Sequence, residues 1–401
     1  MNPETRANSC RALFLLLIAA PAMAQELPPE MGRYAPLYPG MYFNGGYLQD
    51  PRDEVYDAGG RRQDTVTPSD GGQTSFPLKL GVAQFTWHFP MFETAQLPLL
   101  STQTHIARVT MRYGQTRTRG ALGSYVESQS ANGLENNGDG IGDTTFEFGS
   151  FVFGGQNWRE RASNPVAGVL LFGVNAPTGA YERNAPNNLG SDTWSFHGRA
   201  GVHWEPGAWT GGYFDLGGTY RRYARTEEAA FGGLAPYKQG ADRYWDASFT
   251  QRVWHGLYAG LFASHRRGNI NQYKDPQYAP NAPTPPAGSS NAPNPGIYSD
   301  NGTSQKLFGA TVQYFVTQRW LVALNYSKPR AGKSGEFDLP FTNYAPANCF
   351  PGATNCMASN GGTVHEDGFG PARTYASSSW MLTVSHNFDL GDFVTCTGCK
   401  Q

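Results

Sequence analysis

Beyond residue 24 the 401-residue chain holds no apolar run of about 18 residues, the length a bilayer-crossing helix needs, so the mature protein has no transmembrane helix. Charge is scarce too. Asp, Glu, Lys and Arg make up 16% of the residues and the formal net charge is −1. No global positive field condenses phosphates, and no nucleic-acid partner is expected. Cysteine is limited to five residues. What is plentiful is 24 Phe, 21 Tyr, 9 Trp and 49 Gly. Disordered chains are poor in aromatics and rich in charge, so this composition points instead to a β-protein with many turns.

The N-terminus carries an address. Arg6 and Arg11 precede the short apolar run ALFLLLIAAPA, and Ala22-Met23-Ala24 offers a small-x-small cleavage site. This predicts a secretory signal peptide over residues 1–24, cut before Gln25. The run is too short to serve as a spanning anchor. An exported chain that lacks an apolar helix and still crosses a membrane must do so as a closed barrel.

The stretch DTWSFHGRAGVHW, Asp192 to Trp204, separates into two sets when every second residue is read. Trp194, Phe196, Gly198, Ala200, Val202 and Trp204 are apolar, and Thr193, Ser195, His197, Arg199, Gly201 and His203 are polar or tiny. Only a strand keeps such sets on opposite faces. The stretch alone fits either a surface strand of a soluble β-protein or a transmembrane strand whose aromatic ends mark two bilayer interfaces. In DRYWDASFTQRV, Asp242, Tyr244, Asp246, Ser248, Thr250 and Arg252 face one way, and Trp245, Ala247, Phe249 and Val253 the other. Alternation of this kind predicts strands at 40–48, 76–88, 102–113, 142–154, 165–175, 193–204, 209–223, 242–254, 256–267, 304–316, 319–329 and 376–388.

The connections decide between the two readings. Tight or modest joints at 89–101, 155–164, 205–208, 255 and 317–318 alternate with long polar segments at 49–75, 114–141, 176–192, 224–241, 268–303 and 330–375. Short periplasmic turns opposite long extracellular loops are the habit of bacterial outer-membrane barrels, and an even strand count puts both termini on the periplasmic side. A soluble sandwich has no reason to sort its loops this way. The predicted fold is all-β, an antiparallel transmembrane β-barrel of twelve strands over residues 40–388, with periplasmic segments at 25–39 and 389–401. The last strand has Trp380, Leu382, Val384, His386 and Phe388 in its outer row. That row resembles the signal read by the barrel-assembly machinery, although thirteen residues, Asp389 to Gln401, follow it. The expected location is the outer membrane of a Gram-negative bacterium, with its lipid as a partner.

If the Trp194 row faces lipid, then Glu147, His197, Arg199, His203, Asp215, Arg221, Asp246 and Arg252 face inward. An Arg or Lys facing lipid at mid-bilayer costs about 2–4 kcal/mol, so the assignment has an energetic basis. These mixed charges would either line a narrow polar path or pair across the lumen and fill it. Four cysteines outlive the signal peptide. Cys349 and Cys356 bracket the last long loop's FPGATN, and Cys396 and Cys399 lie in the tail, so local disulfides are the expectation among three connectivities. The segment Glu135 to Asp143 spaces oxygen ligands like a calcium loop, but Phe146 stands where a bidentate Glu is needed. Asn, Gly and Asp are turn residues in any case, and neither a metal nor a cofactor is expected. The seven prolines between Asp275 and Pro295 mark an extracellular loop. A catalytic role is not expected. Ser264 and His265 are neighbours and so point to opposite faces, while Ser195 and His197 share a face without an evident acidic partner.

Several phrases carry a resemblance. Gly140-Ile141-Gly142-Asp143 opens a strand, Ala176-Pro177-Thr178-Gly179-Ala180-Tyr181 follows a later one, and Leu189-Gly190 stands shortly before Trp194. Together they resemble the family of outer-membrane proteins assigned to the meta-pathway of phenol degradation, over roughly residues 76–330. The resemblance implies a transporter-like barrel admitting hydrophobic or aromatic compounds, and it offers no residue-level site. The expected function is passive uptake of small, hydrophobic or aromatic solutes. The alternative is a closed structural or receptor-type barrel whose loops are the functional part. Oligomeric state is not legible, and neither is whether residues 25–39 enter the bore as a plug.

Overall fold

A computed structural model describes, apart from single positions, residues 33–51, 75–90, 104–119, 136–155, 165–181, 188–207, 211–224, 240–268, 304–333 and 378–389. Short pieces at 54–56, 62–63, 124, 127, 130, 272–274, 297–299 and 374–376 complete the described residues. One antiparallel sheet contains thirteen hydrogen-bonded segments. Two of them, Asn137–Ile141 and Thr144–Phe153, both pair with Thr104–Arg117 and form one strand interrupted at Gly142 and Asp143. Twelve strands result. They are β1 (Gly40–Asp50), β2 (Leu78–Pro90), β3 (Thr104–Arg117), β4 (the interrupted strand), β5 (Val166–Ala176) and β6 (Ser195–Trp204). Then come β7 (Gly212–Tyr223), β8 (Asp242–Trp254), β9 (Leu257–Gly268), β10 (Ser304–Phe315), β11 (Trp320–Lys333) and β12 (Ser379–Asp389).

Each strand pairs with its sequence neighbours, and β12 pairs with β1, so the sheet closes. Closure removes the free edges of the sheet, the condition for crossing lipid with strands. The predicted strands and the sorting of loops agree with this order. One difference is instructive. Residues 137–141, expected as loop, extend β4 by pairing Ile141 with Tyr113 and Asn137 with Arg117. Gly140 takes a φ of 128° there, a conformation that glycine adopts without steric cost. A turn-like composition has been drawn into the wall by the length of β3.

The faces follow side-chain chemistry. In β6 buried and exposed residues alternate almost without fault. Phe172, Trp245, Leu216 and Leu261 are all at least 60% exposed on the outer surface. Such a contiguous apolar exterior is a lipid-facing belt. Aromatic contacts edge it at both ends. Trp204 stacks on Phe214, which meets Phe249, toward the short-turn end, and Tyr326 packs on Trp380 toward the long-loop end. The interior is polar. Thr, Gln, His, Arg, Asp and Glu are buried there on nearly every strand, an inversion of a soluble core that the closed wall makes possible.

Candidate functional site

The interior polar groups are not evenly spread. Described inward positions on β10, β11 and β12 include Thr311, Gln313, Ala323, Asn325, Ser327, Ser379, Met381, Thr383 and Ser385, with no charge among them. The buried charges sit on the opposite arc. Strand pairing sets Thr86, Arg108, Glu147, Gly173, His197, Arg221 and Asp242 in one row running from β2 to β8. Glu147 is the centre of that row. Its Oε2 accepts from Arg108 at 3.2 Å, and its Oε1 from Arg199 at 3.2 Å and from His197 Nε2 at 3.0 Å. His197 lies two strands from Glu147. It reaches across because the intervening residue is Gly173, where a Cβ would overlap the imidazole. Arg108 also donates to Thr86, and Arg199 to Thr219. At its β8 end the row finishes on Asp242, which accepts from Tyr223 at 2.7 Å, Tyr244 at 3.0 Å and Arg266 at 2.7 Å. Nearer the short turns, Asp215 accepts from His203 at 2.8 Å and from Ser248.

A second row carries a guest. Phe151, Val169, Gly201, Gly217 and Asp246 are register partners on β4 to β8. Across them lies Tyr34, a residue from the segment ahead of β1. Its ring covers Gly201 and Gly217, where a Cβ at either position would overlap it. Its hydroxyl donates to the Asp246 carboxylate, with oxygens at 2.9 and 3.0 Å. The ring also joins Ile106, Phe151, Ala167, Val169 and Leu171 in a buried cluster. Tyr34 has no exposed surface. Tyr34, which belongs to the segment 25–39 expected on the periplasmic side, therefore lies inside the bore. Two inward glycines make the dent it fills, and an inward carboxylate holds it there.

The phrases singled out in the sequence come together at the break in β4. Asp143 accepts from the backbone N–H and the hydroxyl of Ser191 and from the Gly179 N–H. Thr178 Oγ1 accepts from the Thr144 N–H at 3.0 Å. Ala180 donates its N–H to the Ile141 carbonyl, and Gly190 donates to the Ala180 carbonyl. Gly179 and Gly190 touch backbone to backbone, and a Cβ on either would collide with the other. This clamp fastens both ends of the 177–194 connection to the wall. Beside the clamp, Leu189 is buried in a cluster with Leu48, Leu78, Leu80, Val82 and Met381.

Seven of the eight residues predicted to face inward, Glu147, His197, Arg199, His203, Asp215, Arg221 and Asp246, are buried within the barrel. Arg252 is not with them. The inward alternation of β8 ends at Thr250, the register becomes irregular between Arg252 and Trp254, and Arg252 is exposed over Gly211 of the neighbouring turn. The acidic partner that the sequence did not reveal for His197 is Glu147. Ser195 turns elsewhere, accepting from Asn175 at 2.8 Å, so the two do not form a nucleophile and base. Asp242 had been placed on the polar face of its strand without being given a role, and Arg108, Arg266 and Tyr34 were missed. Arg108 and Arg266 sit at inward positions of alternating strands, so parity was the available signal. Tyr34 lies outside any strand and had none. Cys349, Cys356, Cys396, Cys399, the signal peptide and the proline-rich loop fall outside the described residues.

A closed twelve-stranded antiparallel barrel, apolar outside and polar within, is a transmembrane β-barrel, here with one side chain from the segment ahead of β1 and one from a connection inside its bore. The chain belongs to the family described as the MetA-pathway of phenol degradation, whose model matches residues 57–279, more than half of its length. Among solved structures it is similar to an outer membrane channel from Pseudomonas putida F1. The TM-score is 0.59 at 14% identity, and the match covers 90% of this chain and 100% of that one. The translocator domain of the autotransporter NalP from Neisseria meningitidis matches with a TM-score of 0.34 at 9% identity, covering 96% of this chain and 97% of that domain. No curated protein matches the chain.

Proposed function

We propose that this protein is an outer-membrane barrel for passive uptake of small hydrophobic or aromatic compounds, exported by a cleaved signal peptide over residues 1–24 and without catalytic activity. The observation that carries the reading is the interior itself. Glu147, Arg108, Arg199 and His197 hold one another against the wall, so the charges brace the arc they line. Tyr34, by contrast, comes from a segment that is not part of the wall and rests on it through one hydroxyl and one ring face. A fixed polar lining with a separate side chain laid across it suits a path that opens when that side chain leaves. Membership of a phenol-degradation family and the fold shared with a bacterial outer membrane channel support the same reading. The seven buried residues Glu147, His197, Arg199, His203, Asp215, Arg221 and Asp246 would line the path, with outer-membrane lipid around it and the barrel-assembly machinery as its route of insertion.

A second reading has its own support. Tyr34 and Leu189 both fill space inside the bore, as a closed structural or receptor-type barrel would require. Flux separates the two. Purified protein in liposomes is tested with a small aromatic acid, toluene and a sugar, with empty vesicles correcting for permeation through lipid. The uptake reading expects protein-dependent entry of the aromatic solutes over the sugar, rising in Tyr34→Ala. A folded barrel that passes none of them, in either form, would leave the closed-barrel reading standing and end the other.

A further inference from the structure

The outer surface carries a charge pattern of its own at the long-loop end. On β7, β8 and β9 the outward residues begin apolar further down the wall, at Leu216, Phe249 and Leu261, and end in a ring followed by an arginine. Tyr220 precedes Arg222, Trp245 adjoins Arg243, and His265 precedes Arg267. All three arginines are exposed, and so is Lys306 on β10, the register partner of His265. Arg243 and Arg267 are direct partners across β8 and β9, and Arg222 stands diagonally from Arg243 on β7. Like charges directly opposite one another in a sheet are destabilising. Among the described residues no carboxylate answers them, because the outward positions of β7 to β10 hold neither Asp nor Glu. The opposite arc differs at the same end. Lys79 stands between Gln49 and Gln115, and Arg117 has Glu127.

We propose that this face binds the phosphates of a glycolipid of the outer leaflet, the lipid A portion of lipopolysaccharide, from the lipid side of the wall. Long loops mark the extracellular end of such a barrel, which places the arginines in that leaflet. Charge calls for an anion, and the planar fork of a guanidinium takes phosphate oxygens two at a time. Depth calls for an anion carried by a lipid. Tyr and Trp sit where acyl chains give way to headgroups, and Arg222 and Arg243 lie one step beyond Tyr220 and Trp245 on the same face. The indole of Trp245 rests against Gly218, where a Cβ would crowd it, so the ring lies along the wall toward β7. Number calls for more than one phosphate. Two arginines side by side with a third diagonal to them suit a headgroup bearing two phosphate groups better than a single phosphodiester. The face looks away from the bore, so the inference stands apart from the uptake reading.

The test counts the lipid carried by the full-length barrel. Protein in a neutral detergent, its fold checked by heat-dependent electrophoretic mobility, is titrated with lipid A bearing both phosphates and released intact into a mass spectrometer. The expected result is saturable retention of lipid A, lost when its phosphates are removed and weaker for phosphatidylglycerol. Arg243→Gln combined with Arg267→Gln should weaken binding about thirtyfold, each basic residue at an anionic lipid surface contributing roughly a factor of five. Arg222→Gln alone should weaken it about fivefold on the same basis. Lys79→Gln, at the same end but away from the cluster, should leave it unchanged. Equal retention of lipid A without its phosphates would reduce the contact to acyl chains and overturn the site. So would an equal loss in Lys79→Gln, which would make the effect one of overall charge, or phosphatidylglycerol held as tightly as lipid A. Displacement of lipid A by an equal concentration of inorganic phosphate would make this a site for dissolved anions and overturn the lipid assignment. If the double variant does not fold, Arg222→Gln and the wild-type comparison of lipid A with and without phosphates decide the matter.

Discussion

Strand β3 carries two arginines that each meet a glutamate, and the two pairs stand in opposite surroundings. Arg117 donates to Glu127 at 2.7 Å near the long-loop end, with the two side chains 58% and 52% exposed. Arg108 donates to Glu147 at 3.2 Å inside the barrel, with the two side chains 6% and 5% exposed. The shorter contact is the weaker restraint. Water screens the outer pair and offers each ion an alternative partner, so an exposed pair of this kind contributes little to stability. The inner carboxylate has lost its water and replaced it with Arg108, Arg199 and His197. Distance describes the contact, and burial decides what its loss would cost.

The inner pair therefore predicts the largest effect. Glu147→Ala leaves two guanidiniums buried without their carboxylate, and breaking a buried pair from one side costs about 3–5 kcal/mol. Denaturant unfolding of the refolded barrel should show that loss as a lower midpoint, or the variant should fail to fold. A stability within experimental scatter of the wild type would mean that water already reaches Glu147, and the contrast between the two pairs would collapse. Replacing Gly173 should imitate part of this loss without altering a charge. Gly173→Ala puts a Cβ where His197 lies and against the Phe146 backbone carbonyl, so His197 must give up Glu147 and the adjacent strand must shift a little while both arginines stay. A drop smaller than that of Glu147→Ala is expected in the same unfolding experiment, and a larger one would show that the glycine matters for some other reason.

Tyr34 sharpens the comparison from the middle. Its hydroxyl donates to a buried carboxylate, but it stands on a segment outside the wall, so its loss releases a side chain without unfolding a barrel. A hydrogen bond to a charged group contributes about 1.5–3 kcal/mol. Tyr34→Phe should then raise the open population by about tenfold or more, at 1.4 kcal/mol per decade. Tyr34→Ala should exceed it by also removing the ring. Channel conductance in planar bilayers reads both, and the unfolding midpoint should move less than in Glu147→Ala. If Tyr34→Phe conducts like the wild type while Tyr34→Ala opens, the ring against Val169 and Phe151 does the holding and Asp246 is incidental.

How much of this could be read beforehand follows from what parity can see. Alternation placed twelve strands because one wall surface meets lipid and the other the bore, and that contrast is written at every second residue. It also put Glu147 and His197 inward and Asp242 on the polar face of β8, as it would have put Arg108 inward had β3 been followed through. It failed where pairing overrides composition, at Asn137–Ile141, and where a strand ends, at Arg252. Contacts between a connection and the wall leave no periodic trace. Gly201 and Gly217 are small because Tyr34 lies on them, yet Gly201 read only as a tiny residue among polar ones and Gly217 drew no reading at all. The motif phrases were visible as words. That Asp143 ties Ser191 and Gly179 together, and so presents Leu189, required coordinates.

The outer pair gives the smallest expected effect, and its direction with pH can be worked out. Hydrogen bonds from Arg117, and then from Asn136, hold the Glu127 carboxyl below its usual range. A depressed folded-state value means that any stabilisation is present above the unfolded value and disappears as pH falls through the folded one. The pair can therefore matter only at neutral pH and must be silent in acid. Because water and salt screen it, the neutral-pH contribution should also fade as ionic strength rises. Glu127→Gln is expected to leave the unfolding midpoint unchanged at both neutral and acid pH, within the precision of the measurement. A clear loss at neutral pH that vanishes in acid would place Glu127 in a drier setting than its exposure implies, and the rule drawn from the two pairs on β3 would need a further term for the loop around it.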